Sequence, residues 1–289
     1  MHCNTDMTII MRSHQSPPPS EMAGPTENFI LFFMQIDTSL LNHFAIVLVN
    51  PKFAENIGAT ARIAWNMGIS RLILVRDSMP DYETMAKMAT HKAVHLIDNL
   101  ELHASLQDAL APFSLVIGTT ARRGRQRILE KNPRTIIEEI LPQIATNQIA
   151  FVFGPENYGL SNEDLKYCQM TSAIPTADFS SLNLAQAVAI HCYELYYAVV
   201  HAQKDMQIVP QFASTFELEG MYSHLEDVLL RINFLHEKSH TYWMNNIRQF
   251  LNRVRLTSKD TNIIRGICRQ FLWHQSHATD QRTREDNTT

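Results

Sequence analysis

The stretch 151–195, FVFGPENYGLSNEDLKYCQMTSAIPTADFSSLNLAQAVAIHCYEL, decides how the rest of the chain is read. Residues 149–153 are an apolar run that stops abruptly on Gly154-Pro155-Glu156-Asn157-Tyr158-Gly159-Leu160, which predicts a buried strand followed by a tight loop. Ser161-Asn162-Glu163-Asp164 has the spacing of a helix-opening capping box. A second strand closes on Ile174-Pro175, and Ser181-Leu182-Asn183 then opens a long helix over 184–200. That helix is apolar nearly all round (Ala185, Val188, Ala189, Cys192, Leu195, Tyr196), so it should be buried on two sides. Two glycines and a proline at a strand end let backbone approach a ligand closely. The combination predicts a small-molecule pocket.

Working upstream, residues 45–49 (AIVLV) read as a buried parallel strand ending at Asn50-Pro51. Ile57, Ala61, Ala64 and Trp65 then recur at helical spacing up to Gly68, and residues 71–75 form the next strand. This strand–helix–strand unit is the pattern of a right-handed crossover in an open, mostly parallel α/β sheet. Helical patterns follow over 84–89 and 98–110, with a third strand at 114–118 and a helix over 133–144. Asn56, Thr119-Thr120-Ala121-Arg122 and the Gly154 loop all lie just beyond the carboxyl ends of strands, where ligands bind on such sheets.

The alternation stops after residue 202. Residues 41–203 are therefore one α/β domain, 204–214 a linker, 215–276 a small helical domain and 277–289 a tail. Leu229, Ile232, Leu235, Ile247, Phe250, Leu251 and Val254 are its expected packed positions. Residues 1–40, with Ser16-Pro17-Pro18-Pro19-Ser20, carry no sustained periodicity and read as a disordered extension. No run approaches the ~18 apolar residues of a membrane span. The four cysteines lack any C-x-x-C spacing, which points to a reducing cytoplasm and away from zinc or disulfides. The thirteen histidines show no ligand spacing, so no metal is expected. The formal net charge is −4, yet between Arg231 and Arg284 ten Lys/Arg face only three acidic residues. Local fields of that kind, not net charge, steer a polyanion.

Taken singly, each motif reads two ways. Asn56 and Arg62 are either a helix cap and a surface arginine, or a pair holding a phosphate or ribose. Ser181 and Asn183 either cap a helix or point at a substrate. Arg122, Arg123 and Arg125 form a solvated basic loop or a phosphate contact. Arg248, Arg253, Arg255, Arg265 and Arg269 serve solubility and the helix dipole, or track an RNA backbone.

Asn56-Ile57-Gly58-Ala59-Thr60-Ala61-Arg62, GPENYGLSNEDL and SSLNLAQAV together resemble the three ordered motifs of the SpoU/TrmH (SPOUT) family of RNA ribose 2'-O-methyltransferases. The resemblance covers about half the chain and implies a trefoil knot at the carboxyl end of the sheet domain. It implies S-adenosylmethionine as methyl donor, held by Thr119, Thr120, Ala121, Gly154, Ile174, Ser181, Leu182 and Asn183. It gives Glu156 an organising role and makes Arg62, Asn56, Glu156, Ser181 and Asn183 the catalytic group. It also implies a homodimer packed through the knot region, each site completed by the partner. The segment NPKFAENIGATARIAWNMG and the helical carboxyl-terminal region are similar to a tRNA-modifying branch, which implies ribose 32 of the anticodon loop as target, with Arg253 and Arg265 among the RNA contacts. Ribosomal RNA methylation, or a non-catalytic RNA-binding module, are the alternatives. A dehydrogenase is disfavoured because no G-x-G-x-x-G follows the first strand.

Overall fold

The computed structural model describes residues 38–120, 131–178, 181–201, 210–236 and 239–286. The expected amino-terminal extension therefore lies almost wholly outside the described residues, as does most of the linker. Six strands, β1 (Phe44–Val49), β2 (Arg71–Val75), β3 (Glu101–His103), β4 (Leu115–Thr119), β5 (Ile149–Phe153) and β6 (Met170–Ser172), form one sheet in the order β3-β2-β1-β5-β4-β6. Every pairing is parallel. The open parallel α/β sheet expected from the sequence is thus the fold, with carboxyl-terminal helices added.

Strand pleat explains why the strands read as continuous apolar runs. Ile46, Leu48, Phe151 and Phe153 point into one buried cluster, while Ala45, Val47, Ala150 and Val152 point into another on the opposite face. Helices α1 (Ala54–Asn66), α2 (Tyr82–Asp98), α4 (Pro133–Ile140) and α6 (Leu184–His201) supply the first cluster. The short α3 (Leu106–Leu110) and Leu160 and Cys168, either side of α5 (Asn162–Leu165), cover the second.

Two sequence expectations change here. The helix expected over 98–110 is interrupted, because Asn99 ends α2 and β3 pairs with β2 through Ile73–Glu101. Arg71 fixes that register with a forked ion pair to Glu101 at 2.7 and 3.0 Å, and Ser105 then caps α3. The pattern over 84–89 extends into a longer helix that kinks at Thr90, whose φ is 63°. Gly58 has a packing role: a Cβ there would meet the Met85 carbonyl oxygen at 2.1 Å, so α1 and α2 can cross closely only without one.

Helices α7 (Thr215–Arg231), α8 (His240–Val254) and α9 (Ser258–Asp286) surround a separate small core of Met221, Tyr222, Leu235 and Met244. Leu229, Ile247 and Leu251 pack against it as expected, but Ile232, Phe250 and Val254 are exposed. A core this narrow takes one stripe from each helix and leaves the neighbouring apolar positions outside. The last helix also continues to Asp286, past the expected start of the tail.

Two arginines read as RNA contacts are committed within the protein. Arg248 forms a forked pair with Glu219 and lies 4.2 Å from the Tyr222 ring centroid. Arg255 bonds Glu139 of α4, joining the helical region to the sheet domain. That junction is extended by Thr215, whose N–H and hydroxyl both donate to the Phe113 carbonyl. Among the described residues no helix is long and apolar enough to cross a membrane.

Candidate active site

The carboxyl ends of β1, β4, β5 and β6 converge because Thr119 pairs with Ser172, Gly118 with Val152, and Leu48 with Phe153. A cavity of about 240 Å³ opens at that level. Its walls are apolar (Phe153, Leu160, Ile174, Leu182, Leu184), with Thr119, Thr120, Ser172, Ser181, Glu156 and Asn157 as polar groups. Of the sequence-predicted donor residues, Thr119, Thr120, Gly154, Ile174, Ser181 and Leu182 line it. Ala121 lies outside the described residues, as do Arg122, Arg123 and Arg125.

At this end of the sheet the three sequence motifs are joined by hydrogen bonds. The Glu156 carboxylate accepts from the Lys52 N–H at 2.7 Å and from the Asn56 side-chain amide at 2.6 Å. The Asn56 carbonyl oxygen in turn accepts from the Asn183 side-chain amide at 2.9 Å. Asn183 also caps α6 through the Ala185 N–H at 2.9 Å, as one of its two readings expects, and it does not itself line the cavity. Asn56 is not a cap: Phe53 occupies that position, and Asn56 is buried in the first turn of α1. Partial burial would raise the Glu156 pKa, but bonds from Lys52, Asn56 and Phe53 outweigh it and hold the group below its ordinary value. Glu156 is therefore a fixed anion whose acceptors are already engaged, suited to organising the site rather than to taking a proton.

Arg62 is not brought into this cluster. It sits one and a half turns beyond Asn56, exposed, and does not line the cavity. The Ser161–Asp164 capping box is present and ends the Gly154 loop. Arg253 is exposed, 6.0 Å from the Phe250 ring centroid, and Arg265 is half-buried above Gly220.

Sequence reasoning missed His191 and Ser172. Both are buried and line the cavity. His191 Nδ1–H donates to the Ala187 carbonyl at 2.9 Å, so Nε2 accepts from the Ser172 hydroxyl at 2.8 Å. Burial depresses its pKa to about 4 despite the Ala187 bond. The only sequence signal was a histidine on the inward stripe of an apolar helix. Because the folded pKa lies below the unfolded value, this histidine stabilises the fold above pH ~6.5, and that stability is lost as pH falls toward 4. His191→Phe should leave Ser172 without its acceptor and cost about 1–3 kcal/mol near neutral pH. The variant should also lose this part of the acid sensitivity. Thermal unfolding of both proteins at pH 5 and 7.5 checks it, and parallel pH dependences would refute it.

The site is thus a cavity at the strand ends of a parallel sheet, with the Glu156–Asn56–Asn183 cluster beside it. Residues 43–193 match the SpoU rRNA Methylase family model, and the chain belongs to that family. Residues 216–285 match the carboxyl-terminal domain of the tRNA methyltransferase TrmJ, so the similarity extends through the helical region. The chain is 35% identical over 241 residues to the tRNA (cytidine/uridine/adenosine-2'-O-)-methyltransferase TrmJ of Pseudomonas aeruginosa, covering 79% of this chain and 93% of that protein. It is likewise 35% identical to the tRNA (cytidine/uridine-2'-O-)-methyltransferase TrmJ of Escherichia coli K12, covering 79% and 94%. Among solved structures, TrmJ from Z. mobilis ZM4 superposes with a TM-score of 0.67 at 29% identity, over 78% of this chain and 97% of that one.

Proposed function

We propose that this protein transfers a methyl group from S-adenosylmethionine to a ribose 2'-hydroxyl of tRNA, at position 32 of the anticodon loop. The observation that carries the reading is the hydrogen-bonded series Glu156–Asn56–Asn183 beside the cavity, which unites residues from three separate motifs. The helical region similar to that of TrmJ favours tRNA over ribosomal RNA.

The cavity suits the donor. Its apolar walls accept a flat base, its hydroxyls suit a ribose and amino-acid end, and the Glu156 anion suits a cation. Thr119, Thr120, Gly154, Ile174, Ser181 and Leu182 would hold it. When bound, the donor supplies a methyl already activated on a sulfonium, so no leaving-group acid is required of the protein. What remains is to orient the ribose hydroxyl and stabilise charge as its proton departs. Asn183 and Ser181 orient that hydroxyl, with Asn56 and Glu156 fixing the Asn183 amide. Arg62 stabilises the oxyanion; a guanidinium is too weak an acid to act as a free base here.

Two copies pair, so that Arg62 of one reaches the cavity of the other. The exposed position of Arg62 supports this, as do the exposed Tyr193 and Tyr197 on a helix otherwise packed in the core. Arg122, Arg123, Arg125, Arg253 and Arg265 are the RNA contacts of this reading. A tRNA substrate implies a cytoplasmic reaction.

The test is transfer of labelled methyl from S-adenosylmethionine to unmodified tRNA and ribosomal RNA transcripts, with the modified ribose mapped. Label at one anticodon-loop 2'-oxygen is the expected result. Label on ribosomal RNA alone would keep the chemistry and overturn the substrate.

A further inference from the structure

A second cavity, of about 320 Å³, lies on the other side of the Gly154 loop. Pro155, Asn157 and Tyr158 line both cavities, so one loop is the wall between them. The remaining lining is Asn50, Pro51, Lys52 and Arg76, with no carboxylate. Lys52 and Arg76 form no ion pair among the described residues. Arg76 makes one long side-chain bond, to the Pro51 carbonyl at 3.4 Å, and the rest of its donors remain for a ligand. Two cations lining one cavity repel each other until an anion enters. Tyr158 is 53% exposed at the shared wall, an aromatic residue open to solvent beside the cation pair. Backbone geometry builds this site. Asn50, at φ 44°, donates to the Val75 carbonyl and so ties the end of β1 to the end of β2, which Arg76 follows.

We propose that this cavity is a nucleotide subsite for the RNA residue adjoining the target, its phosphate held by Lys52 and Arg76 and its base stacked on Tyr158. The inference rests on the RNA reading above. Lys52 ties the two sites together, since its N–H bonds Glu156 while the residue lines the second cavity. A phosphodiester seated there lies next to the Glu156–Asn56–Asn183 group, as a neighbouring nucleotide must. A phosphate fits two unpaired cations, and a base fits an open aromatic face.

The test is tRNA affinity by fluorescence anisotropy, with S-adenosylhomocysteine present, over a series of salt concentrations. Lys52→Gln and Arg76→Gln should each weaken binding and flatten the logarithmic salt slope by about 0.7–0.9, the loss of one phosphate contact. Lys52→Arg and Arg76→Lys should restore the slope. Tyr158→Ala should weaken binding about tenfold with the slope unchanged, and Tyr158→Phe should bind as wild type. Calorimetry of S-adenosylhomocysteine with Arg76→Gln should match wild type. Unchanged slopes in a protein that still binds and methylates tRNA overturn the subsite alone. If the wild type methylates only ribosomal RNA, the substrate in the proposed function falls, and the same slopes on that RNA decide the subsite. Saturable binding of cytidine 5'-monophosphate that disappears in Arg76→Gln, with the RNA slope unmoved, would assign the cavity to a free nucleotide and overturn the RNA assignment.

Discussion

Arg62→Ala is expected to lower methyl transfer to tRNA by about 10²–10³-fold, the usual cost of removing a group that stabilises developing negative charge. Donor binding should be unchanged, because Arg62 does not line the cavity proposed to hold the donor. Folding stability should move by no more than ~0.5 kcal/mol, since the side chain is exposed and makes no ion pair among the described residues. That pattern separates a catalytic arginine from a structural one. The position of Arg62 also gives a test of how it acts. Mixing Arg62→Ala with Glu156→Gln leaves each mixed dimer one intact site if the arginine crosses to the partner. Turnover should then recover to about one quarter of wild type, since random mixing gives half mixed dimers with one good site of two. If each arginine served its own chain, no site would be intact and activity would stay at the level of the single variants. Near wild-type turnover by Arg62→Ala itself would remove the residue from the mechanism.

The sheet was legible in the sequence because both its faces are buried. Residues 44–49, 72–75, 115–117 and 149–153 are unbroken apolar runs, each bounded by polar or turn-forming residues. The edge strand β3 escaped because Glu101-Leu102-His103 has neither an apolar run nor clean alternation; its pairing depends on Arg71, thirty residues away. The helical region was legible as helices but not as faces. Periodicity finds an apolar stripe, whereas only packing decides that Leu251 is covered and Phe250 is not. At the site, Asn56, Glu156 and Asn183 could be named from their motifs, but their direct bonds span 100 and 127 residues of chain. His191 had no motif to announce it. Its meaning comes from Ser172, nineteen residues earlier at the end of strand β6.

Gly154→Ala is expected to abolish donor binding and lower the unfolding temperature, although it adds one methyl group. A Cβ at Gly154 would stand 2.3 Å from both the Gly159 carbonyl carbon and the Leu160 nitrogen. Both are backbone atoms, so no side-chain rotation relieves the clash; the loop over 154–160 must open. That loop carries Glu156, whose bonds to Lys52 and Asn56 hold the motifs together, and it forms the wall shared by the two cavities. Overpacking of this kind typically costs ~1–3 kcal/mol, and more where backbone must shift. Gly159→Ala is the internal control. Gly159 has φ +67° but nothing within 4 Å of its would-be Cβ, so alanine there meets only the left-handed backbone penalty of about 1–2 kcal/mol. Calorimetric titration with S-adenosylmethionine and thermal unfolding of both variants separate the effects. Gly159→Ala should still bind donor, with a modest loss of stability, and Gly154→Ala should not bind. Equal donor affinity in the two would mean that the loop yields without disturbing the cavity, and that the close approach at Gly154 is not what shapes the site.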